Sequence, residues 1–66
     1  MTLTINGEPR AFSDLANVAG LVAALGLDHR KVAVERNLEI VPRSAYGMTP
    51  LADGDRIEIV HFIGGG

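Results

Sequence analysis

No cysteine occurs among the 66 residues, and at this length that absence is the tightest constraint on what the chain can fold into. A domain this small buries only about 60% of the surface its unfolded chain exposes, and many such domains lean on disulfides or a metal clip. Without thiols there is no disulfide framework, no thiolate metal site and no cysteine nucleophile. Packing alone must hold the fold, and an apolar content of 47% supplies the material. Ordering the backbone costs roughly 1–2 kcal/mol per residue, so no large substrate cavity can be spared. One small domain is expected.

Six Lys and Arg against eight Asp and Glu leave a formal charge of −2. The basic residues Arg10, Arg30, Lys31, Arg36, Arg43 and Arg56 are dispersed, with only Arg30 and Lys31 adjacent. Phosphate backbones are bound by a basic stripe, so nucleic acid is not an expected partner. No apolar run approaches the roughly 20 residues that span a bilayer. The opening Met1-Thr2-Leu3-Thr4 lacks the basic and then apolar stretch of a secretory leader. The expectation is a cytoplasmic protein with no membrane partner.

Period-two alternation in Thr2-Leu3-Thr4-Ile5 predicts a strand. Asn6-Gly7 follows, a pair suited to the positive φ angles of a two-residue hairpin turn. The return strand is expected over Glu8–Phe12, at a sheet edge because Pro9 has no amide to donate. Asn17 is placed to cap a helix. Val18, Leu21, Val22 and Leu25 form its apolar face, Gly26 its left-handed stop, and Leu27 a residue able to fold back on the last turn. Gly20 costs up to ~1 kcal/mol relative to alanine within that helix and reads as tolerated.

Val32 and Val34 mark a third strand, and Ile40-Val41 a short one that Pro42 ends. Residues 43–52 show no clear period and read as loop with one helical turn at most, in which Tyr46 is a packing residue. Asp53-Gly54-Asp55 is a tight turn. Arg56–Phe62 is the last strand, with Ile57 and Ile59 on one face and Glu58, Val60 and Phe62 on the other. One helix across one mixed sheet buries these faces economically. With the two most apolar strands, the first and last, as central neighbours, the expected architecture is an α+β β-grasp (ubiquitin-like) fold. The domain spans residues 1–63 and a glycine tail residues 64–66.

No phosphate-cradling glycine loop is present. Ser13 and Ser44 lack any nucleophile elbow that would pair them with His29 or His61, and both read as turn residues. Asp53 and Asp55 are too few ligands for a calcium loop. His29 reads as an exposed loop residue and His61 as a strand histidine with a hydrogen bond. No active site is expected within the chain, and no cofactor or metal.

The end of the chain is harder to explain as folding material. Phe62-Ile63-Gly64-Gly65-Gly66 runs from a strand into residues that neither pack nor hold a strand. On its own such an end reads either as a frayed terminus or as a thin segment able to thread a narrow channel of another enzyme. In the second case Gly66, with no Cβ, leaves its carboxyl carbon open to attack. An ionised carboxylate is a poor electrophile, so a partner would have to activate it, most simply as an acyl-adenylate made from ATP.

Asn37-Leu38-Glu39-Ile40-Val41-Pro42-Arg43, Tyr46, Leu51-Ala52-Asp53-Gly54-Asp55-Arg56-Ile57-Glu58-Ile59 and the glycine tail together resemble the ThiS family of thiamine-biosynthesis sulfur carriers. The similarity covers the whole chain. Two departures stand out: Leu38 replaces the glycine many members carry after the asparagine, so that turn could differ in type, and three glycines end the chain where some members have two. The resemblance implies a carrier and not an enzyme. An E1-like adenylyltransferase (ThiF-like) would adenylate Gly66 with ATP and Mg²⁺, neither bound by this chain. Sulfur from cysteine, by way of a cysteine desulfurase, would make a thiocarboxylate, and thiazole synthase (ThiG-like) would take that sulfur. Gly64 and Gly65 would give access. Val60, Phe62 and Ile63 are candidate partner contacts, with the alternative that Val60 and Phe62 merely occupy a half-exposed strand. Arg43 either docks an acidic partner surface or solvates a loop. Two competing readings are a small-subunit carrier of molybdopterin synthase and a ubiquitin-like interaction or modifier domain.

Overall fold

The computed structural model describes residues 1–62, so the expected domain boundary at residue 63 lies outside them. Strands β1 (Thr2–Ile5) and β2 (Glu8–Ala11) form the expected hairpin, Ile5 opposite Glu8. Asn6 and Gly7 take φ of 49° and 85°, both positive as a type I′ turn requires. β2 is exposed throughout and lies at the sheet edge, where Pro9 costs little. It stops one residue short of the expected Phe12, whose N–H still donates to the Met1 carbonyl at 2.8 Å while its ring packs against the core.

Helix α1 (Val18–Ala24) begins at Asn17, whose Oδ1 accepts the Gly20 N–H at 2.8 Å. At its other end Gly26, at φ 72°, donates to the Ala23 carbonyl, and Leu27 donates to the Val22 carbonyl at 3.1 Å. That pair of bonds is the Schellman stop predicted from Gly26-Leu27. A Cβ on Gly20 would meet Asn17 Oδ1 at 3.4 Å, an ordinary contact, so glycine is tolerated there and not required.

Strands β3 (Val32–Arg36), β4 (Glu39–Val41) and β5 (Arg56–His61) complete a five-stranded sheet in the order β2-β1-β5-β3-β4. β1 and β5 are parallel neighbours at its centre; the other pairs are antiparallel. Helix α1 covers one face, with Leu3, Leu21 and Ile57 fully buried between the layers. This is the mixed-sheet β-grasp expected from the sequence. None of its described helices is long and apolar enough to cross a membrane.

The stretch read as mostly loop is more ordered than expected. Arg43–Met48 is a six-residue 3-10 helix, whose three-residue turn escapes a search for the 3.6-residue period. Tyr46 anchors it: the ring is buried and the hydroxyl donates to the Val32 carbonyl at 3.2 Å. A second 3-10 turn, His29–Lys31, was not foreseen; Asp28 caps it by accepting the Arg30 N–H at 2.9 Å.

A buried carboxylate anchors the start of β5, and a left-handed turn joins β3 to β4. Asp55 is buried, and its carboxylate accepts from Arg36 Nε at 2.9 Å, Asn37 Nδ2 at 3.0 Å and the Ala52 N–H at 2.8 Å. Burial alone would push its pKa up, but these three donors outweigh it and hold the carboxyl below the usual range. In the β3–β4 turn Asn37 and Leu38 sit at φ 50° and 71°. The turn therefore keeps the all-positive φ pattern despite leucine in place of glycine.

Both features are testable by thermal and urea unfolding. Because the folded pKa of Asp55 is depressed, its stabilisation is whole above the unfolded value of about 3.9 and is lost as pH falls below that through the folded value. Asp55→Ala strands three donors and should cost about 2–3 kcal/mol at pH 7, with the gap to wild type closing below about pH 4. A gap that persists unchanged at acid pH would show that the charge is immaterial. Leu38 is 84% exposed, so Leu38→Gly gives up little packing and relieves left-handed strain of roughly 1–2 kcal/mol, less the entropy cost of glycine. The expected net gain is about 0.5–1 kcal/mol, a rise of a few degrees in Tm.

Candidate functional site

β5 is the last described strand, and the local structure along it is set by alternation. Ile57 is buried and Ile59 packs against the core on the helix side. Val60, on the opposite face, is 59% exposed, and Phe62 is 51% exposed. The strand ends at His61 and not at the expected Phe62. The pairing nevertheless continues, since the Phe62 N–H donates to the Lys31 carbonyl at 2.7 Å.

Val60 lies opposite Ala33 in β3. Two residues along, Glu35 faces Glu58 on one side and Ile40 of β4 on the other. Ile40 is 70% exposed. The uncovered sheet face thus carries Ala33, Ile40, Val60 and Phe62, an apolar strip interrupted by two glutamates. Ile40 was not among the residues singled out from the sequence. Its signal was present, because Ile40 alternates with Val41, and Val41 is the one that points into the core.

β5 outruns its central neighbour, and a side chain makes up the difference. Backbone bonds join Thr4 N–H to the Asp55 carbonyl at 3.0 Å and Asn6 N–H to the Ile57 carbonyl at 2.9 Å. Beyond that point β1 turns away. The Asn6 carboxamide then takes over the ladder, accepting from the Ile59 N–H at 2.7 Å and donating to the Ile59 carbonyl at 3.1 Å. The hairpin turn therefore clamps the second half of β5.

Arg43 opens the second 3-10 helix, and its Nη2 donates to the Arg30 carbonyl at 3.0 Å. It edges an apolar groove of about 310 Å³ between α1 and that helix, shared with Val22, Leu27, His29 and Tyr46. Burial raises the pKa of the Tyr46 hydroxyl, with the nearby Arg43 charge pulling the other way. Among the described residues Ser13, Ser44, His29 and His61 are not brought into any nucleophilic arrangement: both histidines are exposed, and neither ring makes a hydrogen bond there, so the bond expected of His61 is not found. Among the described residues no group of three or more His, Asp or Glu could hold a metal ion. Asp53 accepts the Thr2 N–H at 2.6 Å, a turn contact. The remaining candidates, Ile63, Gly64, Gly65 and Gly66, lie outside the described residues.

With that geometry in view, the comparisons with known proteins are decisive. The ThiS family model matches residues 3–66. The chain belongs to the ThiS family. The sulfur carrier protein ThiS of Bacillus subtilis is 42% identical over 65 residues, covering 97% of this chain and 98% of that protein. A thiazole synthase of Paramagnetospirillum magneticum is 61% identical over all 66 residues. The chain spans only 20% of that relative's length. Among solved structures, the crystal structure of the thiamine biosynthesis protein ThiS from Geobacter metallireducens superposes with a TM-score of 0.84 at 39% identity, each chain covered in full. The β-grasp architecture is therefore the family's own.

The Asn6 clamp can be isolated by one substitution. Asn6→Gly keeps the positive φ and removes only the two side-chain bonds, so it should cost about 1–2 kcal/mol. Amide hydrogen exchange should quicken at Ile59, the donor left without its acceptor. Unchanged exchange at Ile59 would show that the clamp does not hold the end of β5.

Proposed function

We propose that this chain is a sulfur carrier of thiamine biosynthesis, a protein co-substrate and not a catalyst. The observation that carries the reading is that the family match runs through residue 66, so it takes in the glycine tail as well as the domain. Gly66 is the reacting residue. One of its carboxylate oxygens attacks the α-phosphate of ATP in an E1-like adenylyltransferase, pyrophosphate leaves, and an acyl-adenylate results. A persulfide sulfur, drawn from cysteine by a desulfurase, then attacks the acyl carbon and expels AMP. A partner thiol cleaves the S–S bond by reduction and leaves a thiocarboxylate on Gly66. Thiazole synthase takes that sulfur into the thiazole ring.

The chain's own features support this division of labour. It has no thiol to capture its own activated terminus, and no cysteine on which transferred sulfur could instead reside as a persulfide. ATP and Mg²⁺ belong to the activating partner. Gly64 and Gly65 give the tail the slenderness to enter a partner channel. Val60 and Phe62, with Ile40 on the same open sheet face, supply the apolar contact surface, Ile63 continues it in the bound tail, and the setting is the cytoplasm. The Bacillus relative favours the thiamine pathway over the molybdopterin-synthase alternative, which would use the same tail chemistry.

The test is to incubate the purified chain with an E1-like adenylyltransferase, ATP, Mg²⁺ and a persulfide source, and then to fragment it by mass spectrometry. Intact mass before the reaction establishes that Gly66 carries the free carboxyl group. The expected result is replacement of oxygen by sulfur localised to Gly66. Localisation is essential, because oxidation of Met1 or Met48 gives nearly the same mass gain. A tail that remains a plain carboxylate under conditions that convert another ThiS-family carrier would refute the reading.

A further inference from the structure

The end of the domain from which residues 63–66 depart differs in charge from the rest of the surface. The Phe62 N–H is tied to the Lys31 carbonyl, so the root of the tail lies against the 3-10 turn His29–Lys31. Arg43 reaches the same turn through the Arg30 carbonyl and, with His29, edges the groove beside α1. On the other side of β5 a second hollow of about 310 Å³ is floored by Ile5, Leu25 and Ile59 and flanked by Arg10 and His61. Leu27 lines both hollows, so they adjoin at the end of the helix, close to the tail root.

The counter-charges at this end are few. Among the described residues there are two ion pairs, Arg30 with Asp28 at 3.0 Å and Arg36 with Asp55 at 2.9 Å. Arg10, Lys31 and Arg43 are exposed and have no carboxylate partner among the described residues. Arg10 rests over the Phe12 ring, 5.6 Å from its centroid, and its place opposite Leu3 sets it back towards the start of β5. The acids nearby are Asp28, which Arg30 already neutralises, and the facing pair Glu35 and Glu58 on the open sheet face, set back along β5 from Phe62. Asp53 and Asp55 lie at the opposite end, where β5 begins. A chain with a net charge of −2 therefore presents a positive end at the point where the tail leaves.

Chain length decides what that end can touch. Four residues in full extension reach at most about 14 Å, so a partner that engages Gly66 in its interior must also approach the domain around Phe62. We infer that Lys31 and Arg43 form a basic docking collar, and that the adenylyltransferase taking the tail carries an acidic rim around the mouth of its channel. This rests on the carrier reading and adds to it the electrostatic character of the partner's surface. Complementary rims of this kind act mainly on the rate of productive encounter.

The experiment measures pyrophosphate release by an E1-like adenylyltransferase with ATP and Mg²⁺ as the carrier concentration is varied, at low and at high salt. Lys31→Glu and Arg56→Glu make the same charge change at opposite ends, and neither side chain forms a hydrogen bond or ion pair among the described residues. Lys31→Glu, and likewise Arg43→Glu with its Tm checked, should lower kcat/KM severalfold to about tenfold at low salt. kcat should be unchanged and the deficit should shrink as salt screens the charges. Arg56→Glu should change kcat/KM by much less. Equal losses from Lys31→Glu and Arg56→Glu would show that net charge matters and the collar does not. No loss at low salt from either collar variant would overturn the inference outright. No pyrophosphate release from the wild-type chain, with an enzyme that adenylates another ThiS-family carrier, would overturn the carrier reading and the collar's partner together.

Discussion

The parallel pairing of β1 with β5 is the contact on which the rest of this domain depends. It joins segments more than fifty residues apart, the Asn6 side chain meeting Ile59 across a separation of 53. Closing so long a loop costs entropy before any contact repays it, and without cysteine no covalent link can share the load. Short-range order has to prepare the pairing instead. The Asn6-Gly7 turn returns β2 onto β1, so β1 arrives as one half of a preformed hairpin. Asp55 does the same for β5: its carboxylate ties the preceding turn, through Ala52, to Arg36 and Asn37 at the far end of β3. Once both preparations are in place, β5 can enter between β1 and β3 in only one register, with Ile57 in the core. A slip by one residue would bury Glu58 in its stead.

The elements legible in the sequence were those with a local cause. The hairpin, the capped helix with its Gly26-Leu27 stop, and the stub strand before Pro42 each follow from the backbone preferences of one or two residues. Arg43–Met48 was not legible as a helix because its anchor is remote: Tyr46 is held by the Val32 carbonyl, and a three-residue turn leaves no amphipathic stripe of the ordinary period. Leu38 illustrates the opposite case. Its own preference argues against a left-handed turn, yet the β3–β4 pairing on one side and the Asn37 bonds to Asp55 and Arg56 on the other impose one. Tertiary constraint outweighs a local strain of about 1–2 kcal/mol.

The candidate site divides along the same line. Val60 and Phe62 could be placed on the open face from period-two alternation alone, because β5 is a regular strand. Ile40 joins them only through the register of β3 with both its neighbours, which no single segment encodes. The positive end was the least legible feature. Lys31 and Arg43 are separated by twelve positions in the chain, and the dispersal of the basic residues argues against a phosphate-tracking stripe. Folding nevertheless gathers them, since the 3-10 turn after α1 abuts the end of β5 and Arg43 reaches that turn from the 3-10 helix after β4.

A carrier that delivers one reactive atom to successive partners faces two opposing demands. Its reacting group must reach into an interior that the folded domain cannot enter, which favours a thin and pliant segment. Its domain must also be placed the same way each time, because a few ångströms of misplacement would leave the reacting carbon short of its target. On the carrier reading, glycine meets the first demand, since it has no side chain to obstruct entry. The second demand falls on the end of β5, where the Asn6 clamp and the Phe62–Lys31 bond hold the strand up to its final described residue. The absence of cysteine serves both. It leaves no internal thiol to capture an activated acyl group, and it obliges the fold to rely on a polar and apolar clasp that grips the root of the tail.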